Sequence, residues 1–465
     1  MIFTLVLLLL TLLVAAAAVA MLLPMRTSLK GAVALSGFQL HLLPIAGVFP
    51  SLSLLSGLAL WRTVFMPNEL WRLLWVRSLT ALMAVQLVSL LWSPNPLLGV
   101  RYFIYALPFL LIASAAYAMA CSDAVSSRRL LQIVLYVSAV QSLATIAFRL
   151  SPGLKMHYIL SPLARLCISA NGLEALLTPW GRNNIFDASK SGGLFFINAN
   201  VAAAYLGVSA VLAWGLAVRN KSLPLHVVAF MNWVAVLCTG SKAGVICSVA
   251  VPAGMWLFQF ANTRRLNANH LVAAVPVISV TVVALYACLD SALLNRFTYQ
   301  SASTLDVRQQ IWTFALSVLE KHPLKGIGFG GWELKFPLFA AHLGINPNLP
   351  PHNSLLILWT QSGLAAMLLG VVFAVSLIAW LLNSLRQAEG DDKLLVFGVL
   401  GAVTWYVIQG MGENFGLVGE EHMTPLLAMS IGYVASLHCR AQQARVTAES
   451  GAEDVSRTHQ AAAPP

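Results

Sequence analysis

A histidine follows two prolines at the point where a long polar stretch gives way to an apolar run. The segment is Pro350-Pro351-His352-Asn353-Ser354, and the apolar run covers 355–380. An imidazole titrates near neutral pH, so at the edge of a water-poor site it accepts a proton from a hydroxyl group, which aliphatic neighbours cannot do. The alternative is a histidine that marks a helix start by chance. The sequence favours His352 as a general base.

Two arginines precede this histidine in the same polar stretch, Arg296 and Arg308. A guanidinium is planar, stays charged and holds two phosphate oxygens at once, which suits it to gripping a diphosphate. Around Arg308 the apolar residues recur at helical spacing, and Asp306 is a plausible helix cap. The pattern therefore predicts an amphipathic helix that begins near Asp306 and lies on the outer surface. Its apolar stripe comprises Ile311, Trp312, Ala315 and Leu319.

Other candidate cations are Lys242, in a tight polar turn at 238–244, and Arg182, in a long loop at 150–194. A lysine at a membrane boundary usually extends towards the headgroups, so a ligand is the less common explanation for Lys242. The glycines and amides at 191–200 form a turn that could present backbone N–H groups to an anion. The cationic excess of the loops at 150–194 and 290–351 has two explanations, chance or an anionic substrate.

The composition sets the fold class. With 58% hydrophobic residues, 10% charged residues and a mean hydropathy of +0.78, the chain is predicted to be an all-α polytopic membrane protein. About twelve spans are expected, and the first is expected to be a retained anchor. A large helical outer loop precedes the span that starts near 353. The predicted spans are 2–23, 33–60, 78–93, 99–120, 130–149, 195–218, 223–239, 241–259, 271–289, 353–381, 394–410 and 423–438.

Short loops rich in lysine and arginine stay cytoplasmic, which places both termini inside and the loops 150–194 and 290–351 outside. The transmembrane bundle is expected over 1–440, and the polar stretch 441–465 is expected to be a disordered cytoplasmic tail. This rule accounts for about half of the basic residues behind the net charge of +11. The charge therefore does not indicate a nucleic-acid partner. It indicates membrane lipid as a partner.

The chain lacks the motifs of nucleotide-driven and metal-dependent chemistry. It has neither a Walker loop nor a GxGxxG that follows a strand, and its six cysteines form neither a disulfide framework nor a metal-spaced pair with histidine. No cofactor and no metal ion are expected. Any reaction must then use a substrate that is already activated.

Several patches stand in a fixed order along the chain. They are Gly193-Leu194-Phe195, Asn198-Ala199-Asn200, Thr239-Gly240-Ser241-Lys242, Asp306-Val307-Arg308, His322-Pro323-Leu324-Lys325-Gly326-Ile327-Gly328-Phe329-Gly330 and Pro351-His352-Asn353 followed by Gly363. Together they resemble the bacterial O-antigen ligase and O-antigen polymerase family, and the resemblance covers roughly 190–380. In three positions the chain departs from the usual family pattern: Lys242 replaces arginine, Ala199 replaces proline, and Ala366 replaces the usual last residue of the histidine motif.

The resemblance implies transfer of a glycan from an undecaprenyl diphosphate carrier at the periplasmic face of the bacterial inner membrane. His352 would take the proton of the acceptor hydroxyl, and a single displacement would invert the anomeric carbon without a metal ion. The acceptor would be lipid A–core or a growing glycan. The residues that would hold the diphosphate are Arg296, Arg308, Lys242 and Arg182.

Glu413 and Asn353 are the candidates for contact with the acceptor sugar. Glu413 belongs to an acidic patch with Glu420, Glu421 and His422, and this patch either binds a sugar, assists the base or is simply solvated. A ligase and a polymerase share the donor, so the donor-binding motifs do not separate them, and ligase-like transfer is preferred slightly. A glycan transporter or flippase is a more distant alternative, because its sites lie near the bilayer midplane.

Overall fold

The computed structural model describes residues 23–38, 40–41, 51–65, 69–168, 173, 186–196, 198–263, 291–413, 415–437 and 439–440. At 258–263 and 291–304 it describes the backbone only. The predicted spans 2–23 and 271–289, the tail 441–465 and Arg182 lie outside the described residues. Within the described part the fold is helical, and its one β contact is an isolated bridge between His41 and Ser51.

Seventeen α-helices are described, and short 3₁₀ segments occur at Ala59–Phe65, Glu69–Arg72 and Leu90–Trp92. The α-helices are α1 (Met25–Ala34), α2 (Leu52–Leu58), α3 (Leu74–Ser89), α4 (Pro96–Ala106), α5 (Pro108–Ser122), α6 (Ala124–Leu150), α7 (Pro152–Ile159), α8 (Pro162–Ile168), α9 (Ala199–Asn220), α10 (Leu223–Cys238), α11 (Lys242–Thr263), α12 (Ser291–Lys321), α13 (Trp332–Leu343), α14 (Ser354–Ser362), α15 (Leu364–Gln387), α16 (Asp392–Gly410) and α17 (Met423–Leu437).

Six helical stretches in the described residues are long and apolar enough to cross a membrane, and they coincide with six of the predicted spans. Shorter apolar helices coincide with three more predicted spans: Leu223–Cys238, Lys242–Leu257 and Met423–Leu437. A fourth, Leu52–Val64, overlaps only the last part of the predicted span 33–60. The total of twelve spans and the outer location of 290–351 stay predictions. The six long stretches are Leu74–Trp92, Pro96–Ser122, Ala124–Leu150, Ala199–Asn220, Leu364–Gln387 and Asp392–Gly410.

Helix α9 lies in the centre of the bundle and packs against α10 and α16. Small residues permit this close packing, because a Cβ atom on Gly207 would lie 2.1 Å from the ring of Trp405, and one on Gly215 would lie 3.0 Å from the Cα of Gly398. An ion pair between Arg219 and Asp392 joins α9 to α16 at one end. The ion pair thus joins the two helices at one end. The other end of this helix pair lies at the candidate site.

The predicted continuous span 353–381 is wrong in one respect, because the chain breaks at Gly363 into α14 and α15. Gly363 has φ +89°, and a Cβ atom there would lie 2.0 Å from the carbonyl oxygen of Leu324. The segment that contains Leu324 therefore approaches the backbone at this glycine closely. The glycine-rich turn at 322–332 also donates hydrogen bonds from Ile327 N and Gly328 N to the last carbonyls of α14, at 2.9 and 2.8 Å.

The expected start of α12 at Asp306 is also wrong, because the helix already begins at Ser291. Its apolar stripe was predicted correctly: Ile311 and Ala315 are fully buried. They face Trp332 and Phe336 of α13 in a small aromatic core. The helix is therefore covered by the following polar segment and does not lie alone on a surface.

Cysteine labelling tests the predicted orientation. We expect a cysteine at Ala341, which is exposed in α13, to react with a membrane-impermeant thiol reagent added outside intact spheroplasts. A cysteine at Gln387, exposed at the end of α15, should react only after the membrane is opened. The unmodified chain is the control for the native cysteines, and the reverse labelling pattern would overturn the orientation.

Candidate active site

The backbone holds His352 in an unusual conformation. Its φ is +51°, in the left-handed region that costs an ordinary residue roughly 1–2 kcal/mol. The preceding carbonyl of Pro351 accepts a hydrogen bond from Trp312 Nε1 at 3.0 Å. Asn353 caps α14, because its Oδ1 accepts from Leu355 N and Leu356 N at 2.9 and 3.0 Å. Asn353 is thus a structural cap, a role that the sequence interpretation did not include.

Three predicted residues meet around one buried carboxyl group. Glu413 has a side chain only 2% exposed, and its Oε2 lies 4.0 Å from His352 Nδ1. Its Oε1 lies 3.6 Å from Arg308 Nη2, which also donates a 2.9 Å hydrogen bond to the carbonyl of Gly412. The acid, the imidazole and the guanidinium therefore form one contiguous group, with Arg308 the most exposed of the three.

Burial shifts the pKa values of both Glu413 and His352. It raises the pKa of Glu413 to about 7, although Arg308 and a hydrogen bond from Asn200 pull it down. Burial, and after it the positive charge of Arg308, lower the pKa of His352 to about 4. The imidazole is therefore neutral at physiological pH, with a lone pair available, but it is a weak base while Arg308 is unneutralised.

Helices α9, α14 and α16 meet next to Glu413. Asn200, at the start of α9, hydrogen-bonds its carboxyl group, and the carbonyl of Asn200 accepts from Gln409 Nε2 of α16 at 2.8 Å. Ser354 of α14 donates from Oγ to the carbonyl of Gly410 at 2.8 Å. The sequence analysis did not assign Asn200 and Gln409 to this group, because only the packing of α9 on α16 brings them there.

The structure describes the other predicted cations, Lys242, Arg296 and Arg182, to different extents. Lys242 begins α11, and its ammonium is close enough to Arg308 and Lys190 for both to repel it. Arg296 lies on α12 where the backbone alone is described, and Arg182 lies outside the described residues. Arg308 and Lys242 are thus the two candidates that the described structure brings to one region.

Several N–H groups of the turn at 191–200 already have hydrogen-bond partners within the protein. Leu194 N and Phe195 N both donate to Gln141 Oε1, at 2.9 and 3.2 Å. Gln141 in turn donates to the carbonyl of Gly192 at 2.7 Å. The turn instead fixes the start of α9, where Asn198 Oδ1 accepts from Asn200 N.

The predicted acidic patch divides into two parts. Glu420 caps α17, since its Oε2 accepts from His422 N and Met423 N at 3.0 and 2.6 Å. The ring of His422 packs against Phe195 and Phe196 with centroid distances of 6.0 and 4.3 Å. Glu413 alone joins His352, while Glu420, Glu421 and His422 line a neighbouring cavity.

These features define a helical membrane protein with a buried acid–imidazole pair next to cationic side chains. Residues 227–371 match a family model described as O-antigen ligase. This match confirms the resemblance seen in the sequence and supports assignment of the chain to the O-antigen ligase and polymerase family. A search of curated proteins found no match. The matched segment includes Lys242, Arg308 and His352, and Glu413 lies beyond it.

The titration of His352 tests the electrostatic arrangement. Burial lowers the pKa of His352 most and the positive charge of Arg308 lowers it further, so we expect Arg308→Ala to raise this pKa above about 4 but leave it below the ordinary value of ~6.5. Spectra of the chain labelled with ¹³C-histidine, with His352 assigned by His352→Gln, give the titration curve. Arg386→Ala, at an exposed position of α15, is the matched control. An identical curve in Arg308→Ala would mean that burial alone sets the pKa.

Proposed function

We propose that the protein is an inverting glycosyltransferase of the bacterial inner membrane, with its active site on the periplasmic face. It moves a glycan from undecaprenyl diphosphate to an acceptor hydroxyl, as an O-antigen ligase does. The observation that carries this proposal is the convergence of His352, Glu413 and Arg308 within a chain that matches the O-antigen ligase family.

His352 is the general base in this proposal. The hydrogen on Nδ1 faces Glu413, so the lone pair of Nε2 faces the acceptor hydroxyl, and the carboxylate stabilises the imidazolium that forms. The separation of 4.0 Å is longer than a hydrogen bond, and such contacts often tighten only when substrate is bound. The acceptor oxygen bonds to the anomeric carbon as the bond to the diphosphate oxygen breaks, and the proton moves to His352.

Arg308 and Lys242 hold the departing diphosphate in this proposal. The side chain of Arg308 is 26% exposed, so it remains accessible to a phosphate oxygen. Arg296 and Arg182 are the further candidates carried over from the family resemblance. With cationic side chains in these positions, the leaving group is stabilised without a metal ion.

Binding of the donor also activates the base. A diphosphate paired with Arg308 cancels the positive charge that lowers the pKa of His352. The imidazole then becomes a stronger base only when the donor is in place.

The acceptor is lipid A–core in the ligase form of this proposal and a growing lipid-linked glycan in the polymerase form. The description of the matching family as O-antigen ligase favours the first. Both forms use the same base and the same diphosphate contacts. A transporter, the more distant alternative, would move the glycan without joining it to an acceptor hydroxyl.

Substitution of Arg308 tests the proposed diphosphate contact. Arg308→Lys should raise the transfer barrier by roughly 1–3 kcal/mol, because an ammonium keeps the charge and loses the two-point grip on phosphate. The assay uses purified chain, undecaprenyl-diphosphate glycan and acceptor in the presence of EDTA, and wild-type transfer should proceed there. Arg386→Lys, at an exposed position of α15, is the matched control. Full transfer by both Arg308→Lys and Arg308→Ala would remove Arg308 from the reaction.

A further inference from the structure

A cavity of about 660 Å³ lies beside the candidate active site. Its wall includes Pro350 and Ser354, which flank His352, and Phe415, two residues after Glu413. The segments 350–354 and 413–415 therefore contribute both to the candidate active site and to the wall of this cavity. The volume falls in the range of about 300–1,000 Å³ that is typical of small-molecule sites.

The first polar group of this cavity joins α4 to α13. Tyr102 donates from its phenol to Glu333 Oε1 at 2.7 Å, and Glu333 Oε2 is buried without a hydrogen-bond partner among the described residues. The ring of Tyr102 also packs on Phe329 at a centroid distance of 5.9 Å. This wall therefore combines an apolar aromatic face with an unsatisfied carboxyl oxygen.

The second polar group comes from α4 and the loop before α17. Arg101 lies 5.7 Å from the ring centre of Tyr105 and acts electrostatically on Glu421. The Oε2 of Glu421 and the Nδ1 of His422 are buried, again with no hydrogen-bond partner in the described part of the chain. His422 is only 7% exposed and lines the cavity. Buried polar atoms without partners are rare, so a polar ligand is expected to satisfy them.

We propose that this cavity holds an uncharged pyranose ring of the acceptor glycan, with the Tyr102–Glu333 pair and the side chains of Arg101 and Glu421 as its polar contacts. This inference rests on the proposed function, which supplies the acceptor. Sugar rings present hydroxyl groups around an apolar face, and the wall offers carboxyl groups beside aromatic rings. Pro350 and Ser354, two residues before and two residues after His352, line the cavity, so the bound ring lies beside the segment that carries the base.

The carboxyl groups in the wall of this cavity are better hydrogen-bond partners for hydroxyl groups than for anions. Burial raises the pKa of Glu421 to about 7, so this carboxyl group carries a proton over part of the neutral range, and burial also raises the pKa of Glu333. A protonated carboxyl group donates one hydrogen bond and accepts others, as hydroxyl partners require. Among the described lining residues Arg101 is the only lysine or arginine, so an acidic sugar would meet more carboxyl groups than cations.

The test is binding of free oligosaccharides to the full-length protein without donor, measured by saturation-transfer NMR titration. The probes are two neutral trisaccharides, chitotriose and maltotriose, and the acidic galacturonate trimer. We expect at least one neutral trisaccharide to bind about tenfold more tightly than galacturonate trimer. Tyr102→Phe/Glu333→Leu should weaken that binding about tenfold, because the wall loses its hydrogen-bonding groups without leaving one unpaired.

Glu421→Gln is a second variant that preserves the shape of the wall, and it should also weaken binding. Glu320→Gln, at an exposed position of α12, is the matched control and should bind as the wild type does. Equal affinity of both wall variants and the wild type would overturn the inference, as would preference for galacturonate trimer or failure of both neutral probes to bind. Binding without transfer from the donor would overturn the proposed function alone, whereas transfer with unaltered binding in the variants would overturn this inference alone.

Discussion

The arrangement of the site depends on one buried carboxyl group. Glu413 is almost inaccessible to solvent, and an isolated charge in that position would be strongly disfavoured. The fold compensates by bringing Arg308 and Asn200 to it, and the same contacts place His352 on its other oxygen. Because the partners come from α9, α12 and the start of α14, the carboxyl group fixes three segments that are far apart in sequence. The depressed pKa of His352 follows from the same burial and the same arginine.

Backbone constraints complete the positioning of the base. Two prolines limit the approach of the chain, Asn353 caps the following helix, and Trp312 holds the carbonyl of Pro351. Together these contacts hold His352 in its left-handed backbone conformation, which would otherwise relax. Such strained residues are common at functional sites. The break at Gly363 then separates the short helix that carries the base from the long apolar helix behind it. The short helix that carries the base is thus also hydrogen-bonded to the glycine-rich turn at 322–332, and the bundle is not its only support.

The sequence predicted the class, six of the long helices, and the residue types at the centre of the site. His352 and Arg308 were recognisable because their chemistry is uncommon beside apolar runs, and Glu413 was recognisable only as part of an acidic patch. Asn200 and Gln141 were not assignable, since their partners lie elsewhere in the chain. The start of α12 was missed because Asp306 imitates a cap within a longer helix. The break at Gly363 was missed because apolar periodicity continues through it.

The rate of glycan transfer per folded molecule of His352→Ala is the most direct measurement of the central claim. General-base assistance contributes about 10² to 10⁴ in rate, so purified His352→Ala should lose at least about a hundredfold in turnover while its melting temperature and membrane insertion match the wild type. A histidine with only a structural role would lower the amount or the melting temperature of the protein and leave turnover per folded molecule unchanged. Wild-type turnover in folded His352→Ala would contradict the account and make Glu413 the better candidate for the base.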